Sequence, residues 1–347
     1  MRHDADVLVV GGGPVGLAAA IEARLAGMSV VVVEPRATPV DKACGEGLMP
    51  GALAALTRLG VDPEGHVLTG IRYVSGDRVA DHLFREGPGR GVRRTTLHGD
   101  LAVRAHELGV QVVAGRAGVV HQDREGATAA GVRGRWLLAC DGLHSVVRRQ
   151  VGLDAARGQT PPRRRYGVRR HFRVAPWSDL VEVHWGRTTE AYVTPVSDDL
   201  VGIALLGPPR TDVDRTLAAM PVLRDRLAGA AVVGPTRGAG PLRQTTTGRT
   251  AGRVRLVGDA SGYVDALTGE GLRVGFAQAH AAVATLGSDV ARSNAAYERA
   301  WSAATRDYRL LTTGLVSAAG SPLRGGIVPL AAALPALYGA IVERLAR

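Results

Sequence analysis

Gly11, Gly13 and Gly16 fall on a G-x-G-x-x-G spacing, and Glu34 follows eighteen residues after the last of them. That set suits a nucleotide. Gly11 allows a tight turn, Gly13 lets the backbone approach a pyrophosphate, and Gly16 lets a helix pack closely on a strand. A phosphate held by this loop, with Pro14 inside it, meets the free N–H groups and positive dipole end of the helix that follows. Glu34 is placed to bind a ribose hydroxyl, and Pro35 and Arg36 continue the same turn. An acid at that position disfavours an extra 2′-phosphate, so the bound nucleotide is FAD or NAD rather than NADP.

Two further segments pair glycine with an acid. Trp136 to Cys140 reads as a strand running into Asp141-Gly142, then His144, Ser145 and a helix containing Arg148 and Arg149. Val254 to Val257 reads as another strand, delivering Gly258-Asp259 to a loop that reaches Gly269-Glu270-Gly271 and a new helix. Together with the stretch Asp41 to Met49 (DKACGEGLM), these segments resemble the aromatic-hydroxylase and geranylgeranyl-reductase branches of the FAD-dependent oxidoreductase superfamily.

The resemblance implies roles residue by residue. The aspartate matching Asp259 holds the ribitol, and the turn matching Gly269, Glu270 and Gly271 presents backbone N–H groups to the flavin N1–C2=O edge. Negative charge gathers there on reduction, and preorganised donors stabilise it. Asp141 and Gly142 match a segment near the pyrophosphate, and Arg94, in Arg94-Thr95-Thr96-Leu97, matches an arginine close to the cofactor. Cys44-Gly45 matches the stretch that passes the isoalloxazine ring and leans toward the reductases. Those reductases line a prenyl tunnel with Tyr-x-Trp-x-Phe-Pro. The nearest match here, Tyr192-Val193-Thr194-Pro195, lacks the tryptophan and phenylalanine. The Trp-x-Trp-x-Ile-Pro segment of flavin halogenases is also missing.

Lysine usage singles out one more residue. The chain has 43 lysines and arginines, and its only lysine is Lys42, two residues before Cys44. A compact ammonium can stabilise reduced flavin or hold a phenolate, which a planar guanidinium does less readily. Lys42 and Cys44 are therefore the candidate catalytic residues. Nothing in the sequence has metal-ligand spacing, and two cysteines make no disulfide framework.

The elements that must position these residues form an α/β pattern. A Rossmann-type FAD-binding domain is expected over 1–70, 96–160 and 250–290, interrupted by a mainly antiparallel sheet domain for substrate over 71–95 and 161–249, with C-terminal helices over 291–347. Within the sheet domain Ile71 to Val74, Tyr166 to Val174, Val181 to Trp185, Ala191 to Val196 and Leu200 to Leu206 read as strands between Gly, Pro and Asp turns. Arg169, His171, His184, Trp185 and Tyr192 on these strands are candidates to line a substrate pocket, though alternation points only one face inward.

The net charge of +11 comes with scattered arginines, the densest run being Arg163-Arg164-Arg165 with Arg169-Arg170. With 4% aromatic residues and no recognised nucleic-acid module, a solvated basic face fits better than nucleic-acid binding. Such a face can also steer an anionic reductant. The N-terminal strand begins without a charged-then-apolar leader, and a cytoplasmic protein is expected. Gly325 to Val342 carries no charge for eighteen residues, but Pro329 and Pro335 interrupt it, so two short helices are expected rather than a span. Peripheral membrane contact remains open.

The reading that results is an FAD-dependent monooxygenase acting on a small apolar or phenolic metabolite with NAD(P)H and O2. A reductase of isoprenoid double bonds is the alternative, and a flavin electron carrier the reading from another class. A carrier needs no roof over its flavin.

Overall fold

The computed structural model describes residues 3–155 and 164–347, so Arg163 lies outside the described residues. Strand Ala5–Val10 is almost wholly buried and pairs in parallel with Val30–Glu34 on one side and Val132–Ala139 on the other. These short apolar runs form central strands because both faces of a parallel sheet are covered. Gln111–Ala114 extends the sheet beyond Val30–Glu34, and Val254–Leu256 joins in parallel beside Val132–Ala139. The carboxyl ends of these parallel strands run directly into Gly11, Pro35, Gly115, Cys140-Asp141 and Val257-Gly258, all along one edge. Ligands of open α/β sheets bind at that edge.

Helix Pro14–Leu25 packs on this sheet through Leu17, Ile21 and a row of alanines, and it meets Gly271–Ala284 closely enough that a Cβ on Gly275 would lie 2.4 Å from Val15.

A second sheet has seven strands in the order Ala231–Ala239, Tyr166–Arg173, Leu200–Gly207, Glu190–Ser197, Leu180–Trp185, Gly70–Ser75, Arg78–Leu83. Only the Leu180–Trp185 and Gly70–Ser75 pair is parallel. All five strands expected for this sheet are present. The two not foreseen are its edges: Arg78–Leu83 carries charges, and Ala231–Ala239 contains Gly234, Pro235 and Gly238. Proline within a strand is tolerated at an edge, where its missing N–H leaves no ladder bond unmade.

The 30-residue helix Val290–Ala319 leads into a 3₁₀ turn, Pro322–Gly326, and two short helices, Ile327–Ala333 and Pro335–Ala346. Pro335 divides the last two, as its sequence position implies. Their inner side, with Val328, Leu315, Val316 and Ala346, closes a core with Val181, Tyr192 and Leu206 of the sheet. Among the described residues no single helix is long and apolar enough to cross a membrane.

Candidate functional site

Gly11 adopts φ +102°, and a Cβ there would sit 2.5 Å from the Cys140 carbonyl oxygen, so only glycine fits between the two strand ends. At Gly16 the added carbon would lie 1.8 Å from the Gly11 oxygen, which is the close helix–strand packing expected of it. Gly13 caps helix Pro14–Leu25 with no side-chain bond, leaving the first N–H groups for a ligand. His98, which sequence reading did not single out, is buried and places Nε2 2.8 Å from the Gly12 oxygen. Burial pushes its imidazolium pKa down, so it sits there as a neutral donor.

Glu34 is buried and already engaged. Its Oε2 accepts the Gly12 N–H at 2.8 Å, and Arg36 Nε donates to Oε1 at 2.6 Å. Burial pushes the carboxyl up, but Arg36 and the Gly12 N–H outweigh it and hold the pKa below its ordinary value. A carboxylate has lone pairs to spare for a further hydroxyl.

These residues border a cavity of about 530 Å³. Gly11, Gly13, Pro14, Glu34, Pro35 and Arg36 line it at the carboxyl edge of the parallel sheet, and Arg94, Asp141 and Gly142 line it as well. Gly115, Arg116 and Ala117 line it too. They carry no motif, and their only signal was their place directly after a parallel strand. Arg94 Nε and Asp141 Oδ1 are buried and unpartnered within the protein, whereas Asp141 Oδ2 accepts the Val146 N–H at 2.7 Å and caps the helix Val146–Gln150. Buried polar atoms without partners at a cleft mark where a ligand supplies them.

Further in, Gly258, Asp259, Gly269 and Gly271 line the cavity with Lys42, Cys44 and Gly45. Gly269 has φ +73° and nothing within 4 Å of an added Cβ. Lys42 Nζ stands 4.0 Å from Asp259 Oδ2, both side chains about one-third exposed. Cys44 Sγ accepts the Glu46 N–H at 3.4 Å.

Glu46 is the main residue that sequence reading missed. It is buried with φ +61°, its Oε1 accepts the Arg94 N–H at 2.9 Å, and its Oε2 lies 2.6 Å from His171 Nε2. His171 Nδ1 in turn accepts from Arg169 Nη1 at 2.9 Å, and Arg169 binds Asp41, which also accepts from Arg237 at 2.9 Å. Since Arg169 can only donate, His171 Nδ1 is the acceptor and Nε2–H points at Glu46. This chain fastens the Asp41–Met49 stretch to the seven-stranded sheet.

The innermost part of the cavity is apolar, walled by Met49, Val181, Ala204, Leu206, Leu242 and Ala266. Tyr192 lines it as expected, and its hydroxyl donates to the Leu267 carbonyl, tying the sheet to the loop before Gly269. Tyr263 joins it there, its phenol pushed up chiefly by burial.

Three of the expected substrate residues lie elsewhere. His171 is consumed by Glu46, as described. His184 sits on the face of its strand opposite Val181 and bonds Glu182 at 2.8 Å. Trp185 shares the face of Val181 but comes at the strand end, where it packs edge-on to Tyr73, with the Arg324 guanidinium over its ring. Glu270 belongs to the turn expected to act through its backbone N–H groups. Its side chain is buried away from the cavity against Arg273 Nε at 2.6 Å, and burial pushes its carboxyl up to about 7.

The sequence profile of the FAD binding domain family matches residues 4–199. Over 332 residues the chain is 30% identical to menaquinone reductase of Mycobacterium tuberculosis, covering 83% of this chain and 78% of that protein. It is 30% identical over 319 residues to 12-dehydrotetracycline 5-monooxygenase/anhydrotetracycline 6-monooxygenase of Streptomyces rimosus, covering 80% of this chain and 61% of that protein. The fold superposes on the flavin-dependent halogenase CmlS with a TM-score of 0.76 at 21% identity, over 90% of this chain and 64% of that one.

Proposed function

The chain belongs to the FAD-binding oxidoreductases, and from that premise we propose that it is a monooxygenase acting on a small apolar or phenolic metabolite with NAD(P)H and O2. The observation that carries the reading is the continuity of one cavity from the nucleotide edge to the apolar wall of Met49, Val181, Leu206 and Leu242.

The residues at the sheet edge fit FAD. The uncapped helix start at Gly13 suits its pyrophosphate, with Arg94 Nε as an unpartnered donor, while the unpartnered Asp141 Oδ1 suits a hydroxyl or water rather than a phosphate oxygen. Glu34 and Asp259 suit the ribose and ribitol hydroxyls, and the open Gly269 to Gly271 turn suits the ring edge. Held by these residues, FAD would supply two-electron redox chemistry between a nicotinamide donor and oxygen.

The chain's own residues then have distinct tasks. The apolar wall excludes water from the reacting centre. Lys42 brings a cation to the cavity wall beside Asp259, where it can hold a substrate phenolate. Glu46, through Arg94 N–H and His171, fixes the loop that carries Lys42 and Cys44.

A reductase of isoprenoid double bonds is the second reading, favoured by Cys44 in the cavity wall and by the similarity to menaquinone reductase. Such a reaction needs a proton donor opposite hydride delivery. Product mass under labelled oxygen separates the two readings, with Cys44→Ser run in parallel. One heavy oxygen atom in the product and a largely active Cys44→Ser variant are expected. A product two hydrogens heavier, formed without oxygen and lost in Cys44→Ser, would overturn the monooxygenase reading.

A further inference from the structure

The C-terminal helices have two apolar sides and use only one against the protein. Val328, Tyr338, Val342 and Leu345 are buried, and Tyr338 stacks on Tyr73 with ring centroids 5.0 Å apart, so the segment is firmly docked. On the other side Leu323, Leu330, Leu334 and Leu337 are 71, 57, 46 and 52% exposed, with Ile341 at 37%. Leu310, on the neighbouring long helix, is 68% exposed. No charged residue interrupts the sequence from Gly325 to Val342. A contiguous apolar surface of this kind marks an interaction site rather than ordinary scatter.

The border of this surface is basic. Arg306 is exposed on the long helix one turn before Leu310, and Arg344 and Arg347 are exposed on the last one. The Arg344 Nε–Asp307 Oδ2 contact at 2.6 Å brings the two helices side by side, so these three arginines border the same pair of helices, whereas the Arg309 guanidinium lies over the Trp301 ring, 5.1 Å from its centroid. Asp307 and Glu86 partner Arg344 and Arg347, while the chain as a whole carries +11.

We propose that this face rests on an anionic lipid surface, with the exposed leucines in the acyl boundary and the arginine rim at the headgroups. Charge decides between occupants. A second copy would bring the same arginines and the same excess positive charge against each other, whereas anionic headgroups supply the missing negative charge. The two short helices bend by 101° at their break, and neither is by itself long enough to span a bilayer. The inference concerns the outer face alone and stands whichever reaction the cavity performs.

The test is flotation of the flavin-loaded protein with vesicles of phosphatidylcholine alone and of phosphatidylcholine mixed with phosphatidylglycerol. Leu334→Ser/Leu337→Ser and Arg306→Gln/Arg347→Gln are compared with wild type, and flavin content and melting temperature verify that each is folded. Wild type is expected to float with the anionic vesicles and weakly with the neutral ones. Each double variant should lose about tenfold or more in binding. Salt should weaken wild-type binding without abolishing it. Failure to float with anionic vesicles, or equal flotation of wild type and folded variants, overturns the proposal. So does a wild-type dimer in solution that the leucine variant dissociates, since a second copy would then cover the face.

Discussion

At the scale of single residues, Lys42 carries the sharpest expectation. It is the only lysine among 43 basic residues, it lines the cavity, and its ammonium stands 4.0 Å from Asp259. With both groups partly exposed, that pair contributes little to folding. Lys42→Arg should therefore lower turnover at least about tenfold, because a planar fork cannot replace a compact ammonium at a fitted site. Melting temperature and flavin content should stay near wild type. Equal turnover would return Lys42 to an ordinary surface role. Asp259→Ala, by contrast, should weaken FAD retention by roughly ten- to hundred-fold, the worth of hydrogen bonds to a charged acceptor. Equilibrium dialysis of the flavin measures it. Lys42 stood out in the sequence as the one lysine among the basic residues, and Asp259 because it follows Gly258, whose φ is +65°. Glu46 and His98 were not legible, since their partners are 125 and 86 residues away, and Arg116 was not, since it lines a cleft that exists only after folding.

Among elements, helix Gly271–Ala284 has a built-in pH response. Glu270 at its N-cap is buried, with a carboxyl raised to about 7, and Asp265 in the preceding loop is raised by burial to about 6 despite Arg165. A raised acid holds its proton in the fold after the unfolded chain has released it, so stability falls as pH climbs from the ordinary carboxylate range to about 7. Above that the loss is complete. Glu270→Gln should remove its share, so that wild type loses stability relative to the variant between pH 5 and 8, by at most on the order of 3 kcal/mol. Melting temperatures of both proteins across that interval check the sign. A wild type that gains on the variant would show that Arg273 dominates.

Strands show why some site assignments failed at this scale. Alternation correctly limits which residues face inward, but sequence alone does not say which parity that is or how far along a strand the cavity reaches. His184 fell on the wrong parity, and Trp185 lay beyond the cavity's end. The central strands were readable as apolar runs, whereas the edge strand Ala231–Ala239, with its proline and glycines, was not among the strands read from the sequence.

For the whole molecule, the charge of +11 and the arginines 36, 94 and 116 in the cavity wall predict electrostatic steering of an anionic donor. Apparent kcat/KM for NAD(P)H should fall as salt rises through about 0.1 M, where the Debye length is about 10 Å, while kcat changes less. A salt-independent kcat/KM would assign the charge to other partners, such as the lipid face.

The sheet that frames the nucleotide edge takes its strand Val254–Leu256 from far down the chain, after the whole seven-stranded sheet has been threaded through. On a ribosome, then, the glycine-rich loop emerges first and its binding site is finished late. Gly11 to Gly16 leave the exit tunnel some 240 residues before Asp259, and until then the Val132–Ala139 strand has an uncovered edge. Long-range pairing of this kind folds slowly and exposes strands to wrong partners. Flavin supplied during synthesis is therefore expected to raise the share of soluble chain, and soluble yield with and without added riboflavin measures it.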